Sequence, residues 1–319
     1  MRLKLLPLLL FFTLFKGITY SQELRLFNYW YIEDNNIGFI SLSDVYTLSE
    51  HPDSSSVPDI KKLGVDQSLS IVLDKEYRQR FFNGTGISES DNVYIYNYAE
   101  NKLKTFKAKD IQVIALLNFY ASVEDWPFSQ YDYMIGFQID NSQFADFNEN
   151  YFDVLVYIGK ENPFISGLLK PITWERAATK DKALLATIPT DDSFFTDREI
   201  TDYTVGDIYT YESEGYSYYI KNLFDSNNEL SVRHLIVVNT DTKKLVCERI
   251  YDQWEGTGLA SLNIQGEENE YADYQWTGKL FKGMDPVIFG FQYFSFSCPY
   301  ITILNPNDEE VYIYCDNRH

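Results

Sequence analysis

Two short stretches set carboxylates beside tryptophan: Glu124-Asp125-Trp126, and Trp254-Glu255 followed downstream by Asp273-Tyr274-Gln275-Trp276. Flat rings can stack on the apolar faces of sugars, while neighbouring acids and amides exchange hydrogen bonds with the hydroxyls. Asp125, Trp126, Trp254, Glu255, Tyr274 and Trp276 are therefore the candidate binding residues. The same rings would also serve as core residues of a β-sandwich, where aromatic side chains bury large areas. A glycosidase needs two carboxylates about 5–10 Å apart. With 47 acidic residues some pair will meet that spacing by chance, so no catalytic residue is assigned.

Other chemistry is missing from the sequence. There is no Gly-x-Ser-x-Gly, no His-Glu-x-x-His and no glycine-rich loop of the phosphate-cradling kind. His51, His234 and His319 lie far apart, without metal-ligand spacing. Asp146, Asn148 and Asn150 alternate as in a calcium loop, but Tyr151 stands where the turn needs glycine and Tyr157 where it needs a bidentate glutamate. No metal or cofactor is expected. Asn83-Gly84-Thr85 is an N-glycosylation sequon, relevant in a eukaryotic source.

The three cysteines, Cys247, Cys298 and Cys315, all fall in the last third of the chain. Tyr300 to Leu304 and Val311 to Cys315 are apolar runs around Asn-Pro-Asn-Asp-Glu-Glu, which predicts a hairpin. If Tyr300 lies opposite Cys315, Cys298 sits one diagonal step away, within reach of a bridge when the strand ends bend together. Cys298 to Cys315 is the first choice of pairing, with Cys247 to either as alternatives. The apolar run around Cys247 (LVCERIY) suits a buried, inert thiol.

The elements that must carry these residues are strands. Short apolar runs recur from Asn28 to Ile32 through Val93 to Tyr98, Tyr131 to Ile139 and Phe152 to Ile158, and on through His234 to Val238, Lys244 to Tyr251 and Val287 to Phe296. Turn residues separate them, and VYIYNY-AENK-LKTFK is the clearest hairpin. The 26 Tyr and 23 Phe favour pleated, half-buried surfaces. The expected fold is all-β: antiparallel sandwich or lipocalin-like barrel units, with few short helices. Thr173 could cap a helix running through Leu185, and Ser49 to Gln67 reads as a surface loop. A linker around GKENPFISGLLKP divides the chain into an N-terminal β domain, 23–165, and a C-terminal β domain, 166–319. MIGFQID and IFGFQYF share Gly-Phe-Gln in the two halves, which raises a tandem pair as one arrangement.

Residues 1–22 have the plan of a signal peptide: basic Arg2 and Lys4, an apolar run from Leu5 to Phe15, then small and polar residues before a cut near Ser21. That run is too short to span a bilayer, which takes about 20 apolar residues. Removing it takes Arg2, Lys4 and Lys16 and no acid, moving the formal charge from -20 to -23. Such a surface repels phosphate backbones and anionic headgroups, which argues against nucleic acid and membrane partners. The sequence thus predicts a periplasmic or secreted binding or interaction protein, with neutral carbohydrate or another protein as partner. A secreted glycosidase-type hydrolase and a structural envelope protein are the alternatives.

Overall fold

The computed structural model describes residues 24–33, 36–49, 51, 55–144, 147, 153–190, 203–267, 275–307 and 309–317. The signal-peptide segment, Tyr274, His319 and the calcium-like loop residues Asp146, Asn148 and Asn150 lie outside them. The fold is built of stacked, largely antiparallel sheets, and none of them closes into a barrel among the described residues.

A nine-stranded sheet runs through the middle, in the order Leu169–Pro171, Trp276–Gly278, Val287–Phe289, Tyr300–Ile303, Glu310–Tyr314, Leu26–Phe27, Val154–Gly159, Asn92–Asn97 and Lys102–Lys107. It takes strands from both sides of residue 165. Their junction is the one parallel pairing in this sheet, Leu26 opposite Ile313 and Phe27 opposite Tyr314. A five-stranded sheet covers one part, in the order Trp30–Ile32, Ile37–Ser41, Tyr133–Asp140, Gln112–Leu117 and Ser70–Val72. A second five-stranded sheet is a meander of Glu175–Arg176, Thr204–Ser213, Tyr216–Phe224, Leu230–Asn239 and Leu245–Asp252. A small ribbon pairs Thr257–Leu259 with Gln292–Phe294.

Alternation along the central strands explains why the sequence reads as unbroken apolar runs. Val93 and Ile95 point into one core, with Val154, Val156 and Phe137 of the first five-stranded sheet. Tyr94 and Tyr96 point the other way, into a core with Leu155, Phe164, Val287 and Ile301. Both faces are buried, so period-2 polarity disappears. A third core, with Trp174, Leu235, Val237 and Phe291, lies between the meander and the C-terminal strands.

The predicted hairpin forms with Asn97 opposite Lys102, and Lys102, Lys104 and Lys107 line the sheet's outer edge. Charge there discourages pairing with another chain. The two Gly-Phe-Gln segments occupy non-equivalent places. Gly136 sits within a strand so close to its neighbour that a Cβ would overlap the Ile40 carbonyl. Gly290 instead breaks between two strands, with φ +92°. The two five-stranded sheets also differ in strand order, one with crossovers and one a meander.

The helices differ from expectation. The longest is Lys75–Thr85, with Asp74 before it, Glu76 in its first turn and Gly86 in the left-handed conformation behind it. Those are ordinary start and stop signals. It packs Phe81 and Phe82 on the first core, with Phe81 edge-on to Phe137. The expected helix from Thr173 begins only at Thr179, because Trp174 is fixed between the backbones of Asn263 and Gln265 and Glu175–Arg176 pairs as strand. The Ser49 to Gln67 stretch is not wholly at the surface: Val57 and Ile60 enter the core, and Ser56 bonds Gln130.

Arg78 fastens that long helix to the sheet. Its guanidinium donates to the carbonyls of Ile111, Ala108 and Lys109 at 2.8, 2.9 and 3.1 Å and lies over the Phe82 ring. Arg78→Met keeps the aliphatic stem and strips the carbonyls of their donors. It is expected to lower the unfolding free energy by about 2 kcal/mol, read as a reduced urea midpoint with an unchanged slope.

Candidate functional site

The seam between the first and last strands opens into a cleft of about 470 Å³. Its walls come from both halves: Asn28, Tyr98 and Asp153 on one side, and Tyr251, Trp276, Phe289 to Phe294 and Tyr300 on the other.

Local structure fixes each ring. Trp276 and Phe289 are cross-strand partners. Tyr98, just beyond its strand, is held by its N–H to the Asp153 carbonyl at 3.0 Å and presses edge-on against both, 5.1 Å from Trp276 and 5.4 Å from Phe289. Such T-shaped contacts bring the positive ring edge to a negative face. Past Phe289, the left-handed backbone of Gly290 turns the chain into the small ribbon. Phe291 there stacks on Tyr251, with centroids 4.6 Å apart and planes 11° from parallel. Gln292 donates to the Asp252 carbonyl at 2.8 Å.

The polar groups are few. Tyr98 donates to the Asp153 carboxylate, and burial together with that negative neighbour holds its hydroxyl well above the usual tyrosine range. Burial likewise raises Tyr251, and burial with Glu310 nearby pushes Tyr300 up to about 12. Asp153 is the one carboxylate lining the cleft among the described residues. Behind the Ala260 wall lies Arg233, which donates to the Ala260 carbonyl and to Asn222 at 3.3 Å. Burial lowers its pKa to about 10.

Beside the cleft stand three rings that the fold leaves uncovered: Trp254 at 58% exposure, Tyr293 at 52% and Phe296 at 54%. Trp254 starts a tight turn closed by reciprocal bonds with Thr257 at 3.1 and 2.9 Å. The Phe296 ring lies against Gly256 of the same turn. Tyr293 lies opposite Gly258, which has no side chain to shield it. The three rings place exposed aromatic surface next to the cleft.

The candidate residues divide. Trp276, 7% exposed, is a cleft wall, while Trp254 and the exposed Glu255 form the turn carrying the uncovered rings. Trp126 is half-buried against the N-terminal core, and Asp125 caps its own turn by accepting from the Ser122 N–H at 2.8 Å. Neither lines the cleft. In the sequence nothing marks Tyr98, Asp153, Tyr251 or Tyr300 as site residues, and Gly-Phe-Gln at 290–292 reads only as a repeat.

His234 meets Glu248 at 2.6 Å inside the meander, and His51 is exposed in its loop. No group of three or more potential metal ligands occurs among the described residues. The bridge Cys298–Cys315 is present with Cα atoms 5.4 Å apart, and Cys247 is buried in the third core. The hairpin register differs from the expected one: Tyr300 faces Tyr312, which brings Cys298 nearer to Cys315 than a diagonal step would. No helix among the described residues is long and apolar enough to cross a membrane. Comparison with protein-family models, curated proteins and solved structures finds no match to this chain.

Proposed function

We propose that this protein is an exported, non-catalytic binding protein whose cleft and neighbouring rings take a neutral carbohydrate. The observation that carries this reading is the joining of an aromatic-walled cleft to three uncovered rings, Trp254, Tyr293 and Phe296. Sugars offer apolar faces for such rings and hydroxyls for Asn28, Asp153 and Gln292. The acidic surface disfavours anionic ligands at long range. A two-carboxylate hydrolase has less support, since one carboxylate lines the cleft among the described residues. The disulfide is compatible with a periplasmic or secreted location.

A glycan array followed by titration tests the reading. Tyr293→Ala and Trp254→Ala are each expected to weaken binding about tenfold, equivalent to about 1.4 kcal/mol. Tyr120→Ala, an exposed ring outside the cleft, should leave affinity unchanged. Failure of the unmutated protein to bind any glycan, or equal binding by all variants, would reject it.

A further inference from the structure

We propose that Arg233 is a positioning residue of the cleft, a buried cation that holds the Ala260 wall and the Tyr251–Phe291 stack in place for ligand and contributes little to the stability of the fold. The effect on ligand rests on the binding reading above; the effect on the wall does not.

Arg233 lies in the strand Leu230–Asn239 of the meander, opposite Asn222 on one neighbouring strand and Tyr251 on the other. It is only 5% exposed, and among the described residues no carboxylate forms an ion pair with it. Its guanidinium donates instead to two neutral acceptors, the Ala260 carbonyl and the Asn222 side-chain oxygen. A buried cation without a counter-charge is expensive, and an apolar side chain of similar length would fill the same place at lower cost. Burial leaves its mark in a pKa lowered to about 10. A local rule broken in this way is expected at functional positions rather than in a core built for stability.

The contacts of Arg233 close a ring around the cleft wall. Ala260, whose carbonyl it holds, donates its own N–H to the Phe291 carbonyl at 2.9 Å. Phe291 stacks on Tyr251, and Tyr251 is the cross-strand partner of Arg233. Ala260, Phe291 and Tyr251 all line the cleft. Ala260 directly follows Thr257–Leu259 and Phe291 directly precedes Gln292–Phe294, so one guanidinium steadies both strands of the ribbon that carries the uncovered Tyr293. Without it, the Ala260 carbonyl can turn to the cleft and take its hydrogen bond from water there. Gln292 on the Asp252 carbonyl and Gln275 on the Gly290 carbonyl still attach the ribbon, which is why the sheets should persist.

Arg233→Met, which keeps the aliphatic stem and removes the donors, tests the proposal through amide hydrogen exchange, urea denaturation and glycan titration of the full chain. The Ala260 amide is expected to exchange about tenfold faster and glycan to bind about tenfold more weakly. Exchange at Tyr219 and Ile236, paired within the meander, should be unchanged, and the urea midpoint should not fall. Arg233→Lys, which keeps the charge and can reach one acceptor, should recover part of the lost binding. Unaltered Ala260 exchange overturns the proposal, and so does unaltered glycan affinity in a protein that binds glycan. Acceleration throughout, a lower midpoint or failure to fold also overturns it, because Arg233 would then be a staple of the whole meander. If the unmutated protein binds no glycan, the ligand reading falls, while local acceleration at Ala260 still decides whether Arg233 sets the wall.

Discussion

Trp174→Ala is expected to lower the unfolding free energy by about 3–5 kcal/mol, the range for deleting a large buried ring. Trp174 is fully buried in the third core, flanked by Tyr211 and Phe291. Its indole N–H donates to the Gln275 side-chain oxygen at 2.9 Å, and the Gln275 amide in turn donates to the carbonyls of Ser261 and Gly290 at 3.0 and 3.1 Å. Loss of the ring leaves a cavity and removes the indole donor to Gln275. Trp174→Phe separates these effects: most of the volume remains but the indole hydrogen bond to Gln275 is lost, for an expected loss of about 1–3 kcal/mol. Because Phe291 and Gly290 belong to the cleft, both variants should also change the near-ultraviolet circular dichroism of the Tyr251–Phe291 stack. Chemical denaturation checks the energies. Near-wild-type stability in Trp174→Ala would mean that the network is dispensable.

Alkaline pH should destabilise the protein sharply. Burial raises the hydroxyls of Tyr98, Tyr251 and Tyr218 above the ordinary tyrosine value and those of Tyr133 and Tyr300 to about 12. A tyrosine with a raised folded-state pKa contributes stability that is complete below the unfolded value near 10. That contribution is lost as pH rises through the folded value, at up to about 1.4 kcal/mol per pH unit for each group. Arg233 works in the opposite direction. Its folded-state pKa is depressed to about 10, so the penalty for burying its charge eases as pH rises above that value. Several tyrosines outweigh one arginine, and after allowance for partial solvent screening the net loss between pH 10 and 12 is roughly 3 kcal/mol. Urea midpoints measured from pH 8 to 12 should fall accordingly. Phenolate absorbance should rise in two stages, exposed tyrosines first and the buried set together with unfolding. A midpoint constant to pH 12 would contradict the enclosure of these hydroxyls.

Much of the local architecture was legible. Val93 to Tyr98 and Leu103 to Lys107 read as a hairpin because the turn residues and the β-branched and aromatic run act within a few residues of each other. The final hairpin was equally local; its register differs from the expected one, but Cys298–Cys315, the first choice of pairing, is the bridge that forms. The helix Lys75–Thr85 carried its signals in Asp74, Glu76 and Gly86, but Tyr77, Phe81 and Phe82 matched the aromatic bias of the strands and hid its helical spacing. Trp174 failed differently, since tertiary bonds to Asn263 and Gln265 overrode a plausible local cap.

The amino-acid order by itself determined the β class, the course of most strands and the acidic charge, and made Cys298–Cys315 the first choice of cysteine pairing, all of which follow from composition and near-neighbour spacing. Tertiary structure alone decided that strands from both sides of residue 165 share one sheet, and that Leu26 and Phe27 meet Ile313 and Tyr314. A two-residue pairing between opposite ends of the chain leaves no period in either segment. Trp276 and Trp254 acquired their different roles in the same way. Each is a tryptophan near an acid in the sequence, yet one is a cleft wall and the other an uncovered ring because distant strands cover the first and leave the second open.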